Sequence, residues 1–86
     1  MFNPQKSLSG STFIVSGGAS FLGSTIVRSL YAAGGNVVIG DLNQKDAKLL
    51  ELELGERCRS IKCDVRRDPD LSKLVNLAVD EFGTLD

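Results

Sequence analysis

Apolar residues fall along this chain in two alternating rhythms. Thr12-Phe13-Ile14-Val15 is a short β-branched and aromatic run, which predicts a strand buried on both faces. Ser16-Gly17-Gly18-Ala19-Ser20 breaks the run. Leu22, Ile26, Leu30 and Ala33 then recur about once per helical turn, with Val27 beside them. Gly34-Gly35 stops that pattern, as glycine does at a helix C-terminus. Val37-Val38-Ile39-Gly40 predicts a second buried strand, closed by Asp41.

The alternation continues. Gln44 to Leu54 predicts a helix with Ala47, Leu50 and Leu54 on one face, Leu49 and Leu52 widening it, and Gly55 as the stop. Arg59-Ser60-Ile61-Lys62-Cys63 is a more polar strand, suited to a sheet edge. Asp68 can cap a helix that Pro69 opens, since the missing N–H of proline has no partner at that position anyway. Leu71, Leu74, Val75, Ala78, Val79 and Phe82 form the cleanest helical stripe, and Gly83 ends it. Thr84-Leu85-Asp86 reads as the approach to a further strand. The order β-α-β-α-β-α predicts an α/β layer structure with a parallel sheet and right-handed crossovers.

Composition narrows the function classes. Eighty-six residues make one domain, 1–86, with a thin core. Ten basic and eleven acidic side chains give a net charge of -1, which argues against a nucleic-acid or anionic-membrane binder. No apolar run approaches the roughly 18 residues of a membrane span. His is absent, which removes histidine metal sites, histidine-dependent triads and histidine pH switches. Cys58 and Cys63 have the wrong spacing for a zinc motif. Five residues apart on a strand they face opposite sides, as small buried hydrophobes in a reducing compartment. The first dozen residues hold one Lys and no apolar stretch of signal-peptide length. The expected location is the cytoplasm. The mitochondrial matrix is the alternative, because Met1 to Ser11 lacks acids, although it also lacks Arg.

Gly17, Gly18 and Gly23 lie between the first strand and the first helix. Glycine there permits a tight turn and lets backbone N–H groups approach a phosphate at the positive helix end. A plain strand-to-helix connector would use the same glycines, so the context decides. Asp41 follows Gly23 by 18 residues, at the tip of the second strand, where an acid accepts from both ribose hydroxyls of an adenosine. Asp64-Val65 follows the third strand. There a carboxylate can take an adenine amino group with the valine packed beside it. Turn chemistry ahead of Pro69 is the equal alternative.

Phe13-Ile14-Val15-Ser16-Gly17-Gly18-Ala19-Ser20-Phe21-Leu22-Gly23 resembles the cofactor turn, T-G-x-x-x-G-x-G, of the short-chain dehydrogenase/reductase family. Asp41, then Cys63-Asp64-Val65, then Phe82-Gly83-Thr84-Leu85-Asp86 match that family's landmarks in order and spacing. The resemblance implies the N-terminal half of a Rossmann doubly wound parallel sheet. It also implies cofactor roles: Gly17, Ser20, Phe21, Leu22 and Gly23 at the pyrophosphate turn, Asp41 and Leu42 at the ribose, Asp64 and Val65 at adenine. NADP-preferring members carry a basic residue where Ser20 or Leu42 stands here, so the resemblance points to NAD. Within the family the chain is similar to the type II 3-hydroxyacyl-CoA dehydrogenases.

Two positions depart from the pattern. Ser16 replaces a threonine, and Phe21 stands where the middle glycine is expected. Gly17-Gly18-Ala19-Ser20-Phe21-Leu22-Gly23-Ser24 is also similar to the G-G-x-G-F-[IL]-G-S turn of the extended branch, which includes epimerases and 3β-hydroxysteroid dehydrogenases. In that register Phe21 is expected to pack into the helix–sheet core, and this is the preferred expectation for its ring. The Phe82 to Asp86 ending fits the shorter branch better.

The family's catalytic Asn, Ser and Tyr-x-x-x-Lys are not found. Tyr31 has Gly35 four residues on, and is expected to take a packing or surface role in the first helix. The leading expectation is therefore the cofactor-binding part of an NAD-dependent oxidoreductase that acts on a secondary alcohol, a ketone or a 3-hydroxyacyl substrate. The chain stops at a strand entry, which makes it the N-terminal part of such an enzyme, a homo-oligomer when whole. The alternatives are a non-catalytic nucleotide- or partner-binding domain and the start of an extended-branch enzyme.

Overall fold

Three strands and three helices alternate along the chain, in the predicted order. The computed structural model describes residues 8–18, 20–64 and 66–83. The elements are β1 (Thr12–Ser16), α1 (Phe21–Ala32), β2 (Asn36–Asp41), α2 (Gln44–Leu54), β3 (Cys58–Lys62) and α3 (Asp68–Phe82). The approach to a further strand at Thr84-Leu85-Asp86 lies outside the described residues. All pairing is parallel, in the order β1-β2-β3. Ile14 stands beside Val38, and Val38 beside Arg59.

The central strand is the apolar one. Val37, Val38 and Ile39 of β2 are fully buried. The prediction that β1 is buried on both faces is corrected: Phe13, Ile14 and Val15 are only half-buried. The reason is topological, since among the described residues β1 has a strand neighbour on one side only. β3 is the other edge, as its polarity predicts.

Each sheet face has its own core. Val27 of α1, Ala47 and Leu50 of α2, Val37, Ile39 and Cys58 form one. Leu74 and Ala78 of α3 close on Val38 and Cys63 to form the other. The two cysteines thus lie on opposite faces, as strand alternation requires. Both thiols are free. Burial pushes Cys58 up to about 11, the charge of Glu51 adding to it. Burial also raises Cys63, with Asp70 and Asp64 adding to the shift.

A pH dependence follows for Cys58. Below about 9 both the folded and the unfolded chain keep the proton, so the thiol costs nothing. Between about 9 and about 11 the unfolded chain loses it while the folded chain keeps it, and stability falls as pH rises. Urea midpoints taken at pH 8 and pH 10.5 are expected to differ more for the unmutated chain than for Cys58→Ala. Equal differences would remove Cys58 as the cause.

The helix stripes needed two corrections. In α1 the buried positions are Gly23 and Val27, with Leu30 packed against them, while Leu22 and Ile26 are exposed. The stripe is rotated by about one residue from the predicted one. In α3 Leu74 and Ala78 are buried, Leu77 and Phe82 pack beside them, and Leu71, Val75 and Val79 are exposed. Asp68 does not cap α3: the cap position is Arg67, without a side-chain cap bond, and Asp68 is the first helical residue. Tyr31 packs, with the Arg57 guanidinium 4.0 Å over its ring. The same guanidinium donates to the Gly35 carbonyl at 2.6 Å.

Candidate functional site

Parallel strands bring all their C-terminal ends to one edge of the sheet, and the turns that leave them are held together there. The Gly17 N–H donates to the Gly40 carbonyl at 2.8 Å, joining the β1 exit to β2. The Cys63 N–H donates to the Asp41 carbonyl at 3.0 Å, joining the β3 exit to the same strand. Between these turns lies a cleft of about 260 Å³. Ser16 and Gly17, Gly40 to Leu42, Cys63 and Asp64, and Arg66 line it. A second cleft shares Asp41 and is completed by Ser20, Asn43 and Asp46.

The turn into α1 is built by two glycines and a serine. Gly17 takes φ 69°, and a Cβ placed there would meet only open space. Gly23 is needed for a different reason: a Cβ there would drive into the Gly17 carbonyl, lying 2.9 Å from its carbon and from the Gly18 Cα. The helix therefore starts directly against the turn. Ser20 caps it, accepting from the Gly23 N–H at 3.1 Å and donating its hydroxyl to the Gly17 carbonyl at 2.7 Å. The N–H groups of Phe21 and Leu22, at the start of α1, have no acceptor among the described residues. They leave a small positive, donor-rich end beside the strand edge.

Phe21 corrects an expectation. Its ring is 90% exposed and Leu22 is 70% exposed, so neither packs into the helix–sheet core. Phe21 lies in helical backbone, and every positive φ among the described residues belongs to glycine, so the position makes no demand for glycine. Neither Phe21 nor Leu22 lines either cleft.

The acids sit where they were predicted. Asp41 ends β2, its Oδ1 accepts the Asn43 N–H at 2.8 Å, and the residue lines both clefts. Leu42 is exposed beside it. Asp64 follows β3, and its own N–H is held by the Asp70 carboxylate at 3.0 Å. The Arg66 side chain and backbone N–H together hold the Asp64 carboxyl down to about 2. Val65 lies outside the described residues. The structure thus gathers Gly17, Asp41, Leu42 and Asp64 into one cleft, with Ser20 in the adjoining one and Gly23 buried beneath the turn.

Four residues of this edge were not singled out from the sequence: Arg66, Asn43, Asp46 and Asp70. Asn43 was legible as a helix cap, since it stands just before the apolar period of α2 and accepts the Asp46 N–H at 3.1 Å. Arg66 and Asp70 had no such signal, because their partner Asp64 is defined by a turn. Among the described residues no cluster of three or more His, Cys, Asp or Glu is placed to hold a metal ion, and no helix is long and apolar enough to cross a membrane.

Comparison with known proteins agrees with this geometry. The short chain dehydrogenase profile matches residues 11–86. The chain is 39% identical over 83 residues to a (21S)-21-acetoxyl-apo-melianone synthase from Melia azedarach, covering 96% of this chain and 31% of that one. It is 35% identical over 79 residues to a 2,5-dichloro-2,5-cyclohexadiene-1,4-diol dehydrogenase from Sphingobium indicum, covering 92% of this chain and 32% of that one. The chain therefore spans about a third of the length of these relatives. Among solved structures, a 3-ketoacyl-(acyl-carrier-protein) reductase from Brucella melitensis, complexed with NADH, superposes with a TM-score of 0.89. Its identity to this chain is 26%, over 93% of this chain and 33% of that one. Three parallel strands in this order, with helices on both faces, are a Rossmann half-sheet.

Proposed function

This chain belongs to the short-chain dehydrogenase family, and on that premise we propose that its strand edge binds the adenosine diphosphate portion of NAD. The observation that carries the reading is Asp41. It stands at the end of β2, in the cleft that is also lined by Gly17 of the glycine turn. The donors and the acceptor suit a nicotinamide dinucleotide. The N–H groups of Phe21 and Leu22 and the open space over Gly17 receive the pyrophosphate, with Gly23 allowing the helix end to approach. The Asp41 carboxylate accepts from the ribose hydroxyls, with Leu42 beside them. Asp64 and Val65 flank adenine.

Bound NAD supplies a hydride acceptor, and its reduced form a donor. The residues of this chain bind and orient its adenosine end. Acid/base work is assigned elsewhere: Tyr31 is packed under Arg57, and the chain has no Tyr-x-x-x-Lys. The proposed substrate of the whole enzyme is a secondary alcohol or ketone, or a 3-hydroxyacyl compound, handled by a homo-oligomer in the cytoplasm or the mitochondrial matrix.

NAD is favoured over NADP because a 2′-phosphate would meet Asp41, with Asp46 behind it in the adjoining cleft. Calorimetric titration with both nucleotides tests this. The unmutated chain is expected to prefer NAD, and Asp41→Ala to erase the preference. Each lost hydrogen bond to a charged acceptor is worth about 1.5–3 kcal/mol gross, less what water restores. Equal affinities in the unmutated chain would overturn the assignment.

A further inference from the structure

Among the described residues Arg66 is the one cation lining the edge cleft, and the cofactor reading above gives it no task. Its side chain is 80% exposed, whereas that of Asp64 is 18% exposed. The guanidinium grips the carboxylate as a fork, Nε donating to Oδ1 at 2.9 Å and Nη2 to Oδ2 at 2.8 Å. The Arg66 backbone N–H adds a third bond, to Oδ1 at 3.0 Å. From the other side the Asp70 carboxylate, on the first turn of α3, holds the Asp64 N–H. Asp64 is thereby fixed at both its backbone and its side chain.

These bonds divide the two oxygens unequally. A carboxylate oxygen can accept about two hydrogen bonds. Oδ1 receives two, from Nε and the backbone N–H, and is filled. Among the described residues Oδ2 receives one, from Nη2, which leaves it one acceptor position. We propose that Arg66 is a positioning residue for base selection: by filling Oδ1 and fixing the carboxylate plane, it leaves Asp64 a single acceptor at the cleft that Asp64 lines, which takes the amino group of a 6-amino purine and rejects a 6-oxo purine. The inference rests on the reading of the cleft as the adenosine site. The selection is chemical. An amino group donates to Oδ2, while a carbonyl oxygen brings a second acceptor against it. A site built around one acceptor discriminates strongly because the mismatched partner leaves a desolvated oxygen unsatisfied. A freely turning carboxylate would offer either oxygen at several angles and discriminate less. Arginine suits the task because its planar donors fix a plane, which the single ammonium of lysine cannot.

An ordinary exposed ion pair contributes little to stability and would have no influence on base choice. The test therefore reads a ratio of affinities. The unmutated chain, Arg66→Ala and Arg66→Lys are titrated calorimetrically with NAD and with nicotinamide hypoxanthine dinucleotide, which carries a carbonyl in place of the amino group. The unmutated chain is expected to favour NAD by roughly tenfold or more, the scale of one hydrogen bond to a charged acceptor. Arg66→Ala is expected to bring the ratio to within about threefold, and Arg66→Lys to fall between, with thermal midpoints nearly unchanged. A ratio unchanged in Arg66→Ala overturns the inference and leaves the nucleotide reading standing. Failure of the unmutated chain to bind either dinucleotide overturns the nucleotide reading, and this inference with it.

Discussion

Gly23→Ala is expected to destabilise the chain by about 3 kcal/mol or more and to abolish nucleotide binding. The sign runs against helix propensity. Gly23 lies in the first turn of α1, and within a helix alanine is ordinarily better than glycine by about 1 kcal/mol. The deciding fact is what the new methyl group meets. It would overlap the carbonyl of Gly17 and crowd the Gly18 Cα, and both are backbone. A side chain could swing away, but here the turn itself must move. That turn carries the Gly17 N–H bond to Gly40 and the Ser20 cap, so its displacement also shifts the donors at the start of α1. A domain this small has only a few kcal/mol of total stability to lose. Urea denaturation of the purified variant, followed by calorimetric titration with NAD, measures both effects. Unmutated stability with intact binding would show that the turn has slack that the contacts deny.

Leu74→Ala is expected to cost about 2–5 kcal/mol, the range for truncating a buried leucine. Leu74 is 2% exposed and is the largest fully buried side chain of α3. It reaches the sheet at Gly40, where its Cδ2 lies 2.8 Å from the position a Cβ would take. Ala78 contributes a small contact, and the exposed Leu71, Val75 and Val79 contribute little to holding the helix down. Loss of Leu74 therefore frees much of α3 from β1 and β2. The consequence reaches the site, because Asp70 of α3 holds the Asp64 backbone. Hydrogen exchange is expected to accelerate along α3 and at the Asp64 amide, with β2 and β3 affected less. A loss under about 1 kcal/mol would mean that α3 is anchored by something other than this leucine.

Both arguments concern contacts that no pattern along the chain displays, yet the elements making those contacts were legible. Val37-Val38-Ile39 is a continuous apolar run because the central strand is covered on both faces, and burial is written directly into residue type. The bounds of α2, Gln44–Leu54, match the prediction, which took Gly55 as the stop; the Asn43 cap at the other end is seen in the structure. The positions of Asp41 and Asp64 followed from the alternation alone, since the end of a parallel strand always falls on the same edge. β1 looked like β2 by composition and was misjudged. Residue type does not say how many strands lie alongside. Phe21 was misjudged for a similar reason. An aromatic at the opening of an apolar helix reads as core, but at the first helical position its ring faces solvent, and the burying face begins at Gly23 and Val27.

By itself the sequence determined the order of strands and helices, the parallel sheet, the glycine turn and the two acids at the strand ends. Each of these is set by local chemistry: a residue's preference for water, a glycine's lack of a side chain, a periodicity of two or 3.6. The tertiary structure alone decided the rotation of α1, the half-exposure of β1, the need for glycine at position 23, and the grip of Arg66 and Asp70 on Asp64. These depend on which atoms approach through space. Gly23 is required because Gly17, six residues earlier, folds its carbonyl back over the helix end, and the Asp64 carboxylate is held by the side chain and backbone N–H of Arg66 while Asp70 holds its backbone N–H.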